Sequence, residues 1–235
     1  MFICIFAILI INVQKMRESL IRFVESEIIP RYDDFDKGHQ RDHVLAVIEQ
    51  GQYLAGFYDV DREIIYAACA CHDLGIRDGR EQHHIASGKI IREELDLSPW
   101  FSAGQIETIA RAAEDHRASS DHEPRDIYGK IVAEADRQII PETVIRRTVQ
   151  FGFKHYPELD KEGHWERTVE HLEEKYADGG YLKLWIPESP NAARLEELRA
   201  IIRDRDRLRL IFDEIYDKST RIHDGNLIEI SSFTE

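Results

Sequence analysis

The stretch CACHDLGIRDG, residues 69–79, sets a histidine beside an aspartate after REIIYAACA, which offers neither an obvious charged partner. A carboxylate left unpaired at the end of a buried helix costs several kcal/mol. His72 and Asp73 therefore need a partner, and a divalent cation is the one that both can serve. Without it, Asp73 would be a burden on the fold, and Asp73→Asn is expected to hold or raise the stability of metal-free protein.

Further side chains of the same kind fall on apolar helix faces. His43 sits one residue before the stripe Val44, Val47, Ile48, Gly51, Leu54, with His39 four residues earlier on roughly the same side. His84 heads the line His84, Gly88, Ile91, Leu95, and His83 competes with it; the helical face favours His84. His116 extends Ile106, Ile109, Ala113. Asp136 follows Tyr128, Val132, Ala135, on the apolar side of IYGKIVAEADR. Each residue alone is explained more simply as a hydrogen-bonded core histidine or a capping or arginine-paired aspartate. Together they would need separate partners, whereas a metal centre satisfies them at once. The mixed nitrogen and oxygen donors suit Mn²⁺, Fe²⁺, Co²⁺, Ni²⁺ or Zn²⁺ better than Ca²⁺. Arg77 and Arg117, each shortly after a proposed ligand, are candidates for binding an anionic substrate, with Lys89 and Arg137 behind them; ordinary surface arginines would look the same.

The elements that position these residues read as helix after helix. Leu20, Ile21, Phe23, Val24 and Ile28 form an apolar face before Pro30, and DHVLAVIEQGQYLAGFY follows with helical period. Asp59 or Asp61 can cap the next helix, REIIYAACACHD, which is apolar all round and so forms the buried centre. Further helices are predicted at about 84–95, 104–117, 125–138, 142–155, 163–177 and 191–217. The last carries RDRDR as a solvated face. GGYLKLWIPESP is non-helical, and no stretch alternates long enough to argue a sheet. Residues 16–180 are expected to form the main domain and 181–235 a C-terminal extension of aromatic loop, charged helix and tail.

The chain has 235 residues, 43% of them hydrophobic and 32% charged, enough for a core and a soluble surface. A net charge of −14 argues against coating a nucleic acid, though a local cation can reverse the field within one cleft. Three cysteines, Cys4, Cys69 and Cys71, make no disulfide framework and suit a cytoplasmic, reducing compartment. The apolar opening MFICIFAILIINVQKM is shorter than the roughly 20 residues that span a bilayer. Residues 1–15 read as a loosely packed arm or a non-native upstream start before Met16, and no membrane partner is expected.

The ordered pattern, His in GHQRDHVLAVI, His-Asp in AACACHDLG and a distant Asp in GKIVAEADR, resembles the HD-domain superfamily of metal-dependent phosphohydrolases over residues 35–140. The resemblance implies an all-α HD-domain helical bundle with a C-terminal helical extension. It implies His43, His72, Asp73 and Asp136 as ligands of a first metal. REQHHIASGKII and AAEDHRASS resemble the segments that supply further histidines in dinuclear members, which points to His84 and His116. The implied activity is hydrolysis of a phosphate ester or anhydride in a nucleotide or related small metabolite, with one or two divalent ions (Mn, Fe, Co, Ni, Mg or Zn). Asp73 would ligate or bridge metal and orient the nucleophilic water. The lysine that follows the doublet in the HD-GYP branch is replaced by Ile76, and the Glu-Asp signature of alarmone hydrolases is missing. A di-iron HD-type oxygenase and a non-catalytic metal- or nucleotide-binding sensor are the alternative readings.

Overall fold

The computed structural model describes residues 16–35, 38–120 and 122–223. Cys4, the arm at 1–15 and the last part of the predicted tail lie outside these. Among the described residues the chain is all-α, with ten α-helices and no strand. Contacts divide the described residues into two compact units, 16–137 with 185–189, and 138–184 with 190–223. The sequence-based division at 180 is a different partition: the second unit takes in helices that lie before it.

The first unit holds α1 (Glu18–Phe23), α2 (Arg41–Ala55), α3 (Arg62–Cys71), α4 (His83–Glu93), α5 (Ala103–Glu114) and α6 (Ile127–Asp136). The apolar face that begins in α1 does not stay α-helical. It passes through a π-helical stretch, Val24–Ile28, into a 3₁₀ stretch, Ile29–Asp34, where Pro30 removes a backbone donor. Helix α3 is the centre. Its side chains from Glu63 to Cys71 are all buried, and α2, α5 and α6 pack around it. Asp61, not Asp59, caps it by accepting the Glu63 amide at 2.9 Å. The one acidic residue buried on α3, Glu63, is neutralised by Arg17, whose Nε donates to it at 2.8 Å.

Cys69 and Cys71 are free thiols in this core, and burial raises both pKa values, that of Cys71 to about 12. They are small apolar residues here, apart from the His/Asp cluster. Gly51 lets α2 approach α3 closely, since a Cβ there would overlap the Cys69 sulfur.

The second unit comprises α7 (Pro141–His155), α8 (Lys161–Tyr176), α9 (Asn191–Arg203) and α10 (Arg205–His223). The single helix expected over 191–217 is two. The break falls at Asp204, inside RDRDR, where the backbone leaves helical geometry (φ −88°, ψ 89°) and the carboxylate accepts the Arg207 amide at 3.0 Å. Read as one more solvated charge, Asp204 is instead a helix-starting cap. Among the described residues no helix is long and apolar enough to cross a membrane.

Candidate metal centre

Three helices of the first unit end where the His and Asp side chains gather. His72 is the residue after α3, His116 stands two residues beyond α5, and Asp136 is the last residue of α6. Helix C-termini carry partial negative charge, so all three favour a cation at this spot. His43 arrives from the first turn of α2 and His83 from the start of α4.

The ends of α3 and α5 are finished by the histidines themselves. His72 Nδ1 bonds the Cys69 carbonyl at 2.7 Å, and His116 Nδ1 bonds the Ala113 carbonyl at 2.5 Å. His83 repeats the pattern with the Arg80 carbonyl at 2.7 Å. A carbonyl only accepts, so each Nδ1 carries the proton and each Nε2 is turned toward the cluster. His43 differs, because its buried Nδ1 has no partner among the described residues.

Asp73 lies at the centre, 2% exposed, with its backbone in the bridge region (φ −108°, ψ 7°). Its two oxygens address two histidine pairs. Oδ2 stands 3.1 Å from His72 Nε2 and 3.5 Å from His43 Nε2. Oδ1 stands 3.3 Å from Nε2 of both His83 and His116. Within each pair the ring nitrogens face one another, at 3.3 Å for His43 and His72 and 3.0 Å for His83 and His116. Asp136 Oδ1 closes the first group, 3.2 Å from His43 and 3.6 Å from His72. Two sets, His43 with His72 and Asp73, and Asp73 with His83 and His116, have donor atoms close enough together to hold a metal ion.

The charges balance without one. Burial opposes a proton on His72, but Asp73 and Asp136 outweigh it and raise the ring well above its ordinary value. His43 moves the same way: burial opposes the charge, and bonds to Asp136 and Asp73 prevail. Burial likewise opposes ionisation of Asp73 and Asp136, yet the histidines hold both well below the usual carboxylate range. His83 is pushed down to about 4 by burial and by His116, so it is a neutral donor. Imidazole nitrogens and carboxylate oxygens converging from several helices fit a borderline divalent cation. Asp73 thus has the histidines as charged partners, and on this geometry Asp73→Asn is expected to lower the stability of metal-free protein.

His43, His72, Asp73, His116 and Asp136 come together as the sequence suggested; His84 does not, and His83 stands in its place. For His84, burial, His116 and Arg117 push the ring down to about 4, and its buried Nδ1 has no partner among the described residues. Arg77 is engaged by Glu94 at 2.5 Å and lies 3.5 Å from Asp78. Arg117 donates to the Glu81 carbonyl. Lys89 is exposed beside Glu93, whereas Arg137 is buried.

Two supports were not anticipated. Tyr32, fully buried, donates to the Ala70 carbonyl at 2.8 Å and accepts the Asp73 amide at 3.4 Å, bracing the doublet's backbone. Gly75 brings the turn after the doublet against α4. A Cβ there would overlap the His83 carbonyl oxygen and the Ser87 amide nitrogen, while its own N–H donates to Ser87 Oγ at 2.9 Å. Asp115, beside His116, serves structure by pairing with Arg125 at 2.8 Å.

An all-helical body with such a centre defines a helical domain built around a cluster able to hold metal. Residues 41–138 match the family model described as HD domain. The crystal structure of a predicted HD superfamily hydrolase from an uncultured Thermotogales bacterium is similar to the chain. That protein is 20% identical, with a TM-score of 0.44, over 66% of this chain and 86% of its own. No curated protein matches the chain.

Proposed function

We propose that the protein is a metal-dependent phosphohydrolase acting on a phosphate ester or anhydride of a nucleotide or related small phosphorylated metabolite. The observation that carries this reading is Asp73, whose two oxygens each face a separate pair of imidazole nitrogens. His43, His72, Asp73 and Asp136 would hold one divalent ion, and Asp73, His83 and His116 a second. Bound there, divalent metal supplies Lewis acidity and lowers the pKa of coordinated water toward neutrality.

The chain's own groups do the positioning. The backbone carbonyls of Cys69, Ala113 and Arg80 fix the tautomers of three ligands, and Tyr32 fixes the doublet. Asp73, whose oxygens face both histidine pairs, would ligate metal and orient an entering water. Of the two arginines expected to receive substrate, Arg117 keeps its whole charge because a neutral carbonyl anchors it, whereas Glu94 neutralises Arg77. Net negative charge over the chain suits a small substrate drawn in by the cations of one cleft rather than a nucleic acid polymer.

The test is metal analysis of protein purified without added metal, followed by a phosphate-release screen over nucleotides and sugar phosphates. Stoichiometric divalent metal with release from at least one substrate class is the expected result. An iron pair whose turnover consumes oxygen would overturn it in favour of an oxygenase. Full metal loading with no turnover of any phosphorylated compound would favour a sensor.

A further inference from the structure

Most cations near the cluster are already spoken for. Glu94 engages Arg77, Glu81 holds Arg117 by its carbonyl, and Asp115 and Glu114 hold Arg125. Arg137 is different. It is 7% exposed, and its Nε and Nη1 are buried with no hydrogen-bond partner among the described residues. A guanidinium stays charged and can only donate, so these N–H groups require an acceptor. Leaving a buried charge unpaired is among the most costly arrangements a fold can hold.

The carboxylates whose charge reaches the guanidinium are Asp136 and Glu134. Both are committed elsewhere. Asp136 Oδ1 is turned to His43 and His72, and Glu134 Oε2 accepts the Trp185 amide at 2.8 Å. The Trp185 indole Nε1, another group that only donates, is likewise buried without a partner. Arg137 caps α6 at the end where Asp136 enters the cluster. Arg137 directly follows Asp136, and its guanidinium is within reach of that carboxylate's charge. One divalent ion cancels the charges of Asp73 and Asp136, and Glu134 offsets the charge of Arg137 without accepting from its Nε or Nη1. The chemistry that answers unmet planar N–H donors on a cation is a phosphate oxyanion, taken by the guanidinium fork.

We propose that Arg137 is a substrate-binding residue whose Nε and Nη1 donate to non-bridging oxygens of the phosphoryl group held at the Asp73 cluster. This assignment rests on the phosphohydrolase reading above. It gives the site a cation fixed in the scaffold next to a ligand, in addition to any charge that the metal brings.

Inorganic phosphate is the probe. Its dissociation constant is measured by calorimetry on metal-loaded full-length protein, wild type beside Arg137→Met and Arg137→Lys. Metal content and the Tm in chelator are recorded in parallel. Arg137→Met is expected to weaken phosphate binding by about 10- to 100-fold, the usual effect of losing hydrogen bonds to a charged group. Metal content should not change, and Tm in chelator should hold or rise. Arg137→Lys keeps the charge without the fork and should fall between the two. Phosphate binding by Arg137→Met within twofold of wild type overturns the assignment. Should Arg137→Met not fold, Arg137→Lys decides, and wild-type affinity in that variant also overturns it. If metal-loaded wild type neither binds phosphate nor releases it from any substrate, the phosphohydrolase reading has failed and this assignment falls with it. If wild type does either and Arg137→Met matches it, only the assignment has failed.

Discussion

Replacing Asp73 with Asn keeps the shape of the side chain and removes the charge on which both histidine groups converge. In metal-free protein the nearest charged partner is His72, at 3.1 Å. At an effective dielectric constant of about 20, that pair attracts by about 5 kcal/mol. Desolvation of both groups offsets part of this, and His72 can shed its proton once the carboxylate is gone. The net loss should therefore sit at the low end of the range for breaking a buried pair, about 3 kcal/mol. For a chain of this size that lowers the Tm by roughly 6–12 °C. The loss has a pH signature. His43 and His72 are raised above their ordinary 6.5, so the stability that they draw from the carboxylates is complete below that pH. It disappears as pH rises through their folded values. Asp73 and Asp136 are lowered, so their share is present above about 3.8 and lost as pH falls through their folded values. The assay is thermal unfolding in chelator at pH 5.5 and pH 9, with metal content after dialysis measured alongside. Asp73→Asn should be markedly less stable than wild type at pH 5.5, with a smaller difference at pH 9, and depleted of metal. An equal Tm loss at both pH values with wild-type metal content would refute the bridging arrangement.

Other consequences are as direct. His83→Ala should remove one metal equivalent while His84→Ala leaves metal content at the wild-type level; the reverse pattern in elemental analysis would restore His84 as the ligand. Loading metal displaces protons from His43 and His72, so affinity measured by chelator competition should climb as pH rises above 6.5 and level off once both rings are neutral. A flat profile would show that the rings are neutral beforehand. Tyr32→Phe loses the bond to the Ala70 carbonyl and should cost about 1 kcal/mol in denaturant melts. It should also slow turnover without emptying the site, and full loss of metal would mean that Tyr32 does more than brace the doublet.

The helical period made most of this centre legible, since His43, His116 and Asp136 each continue an apolar stripe into the interior. It misled at His84. The stripe of Gly88 and Ile91 is real, but the adjacent line of His83, Ser87 and Ile90 is just as buried, with Ser87 at 0% and Ile90 at 2% exposure. Ser87 is polar, yet its hydroxyl is used inside the fold on the Gly75 amide. A hydrophobic pattern cannot register a hydroxyl whose partner is a backbone group on another segment. Asp204 was misread for a related reason, because a capping carboxylate and a solvated one look alike in a charged run. The passage from α1 into π and 3₁₀ turns was equally hidden: its apolar residues fit the same face either way, and only Pro30 hints at the change.

The ring–carbonyl bonds of His72 and His116 have a bearing on how the protein can be altered. In each case one hydrogen bond both finishes a helix and turns an Nε2 toward the cluster. An alanine at either position therefore unravels a terminus as well as deleting a donor, and lost activity in such a variant would not separate the two injuries. Asparagine is the more informative replacement, because its amide N–H can still reach the carbonyl while the distal nitrogen is gone. For a designer the same economy runs the other way: grafting such a ligand onto another helix end would bring its own orientation with it, with no outside residue needed to aim the ring.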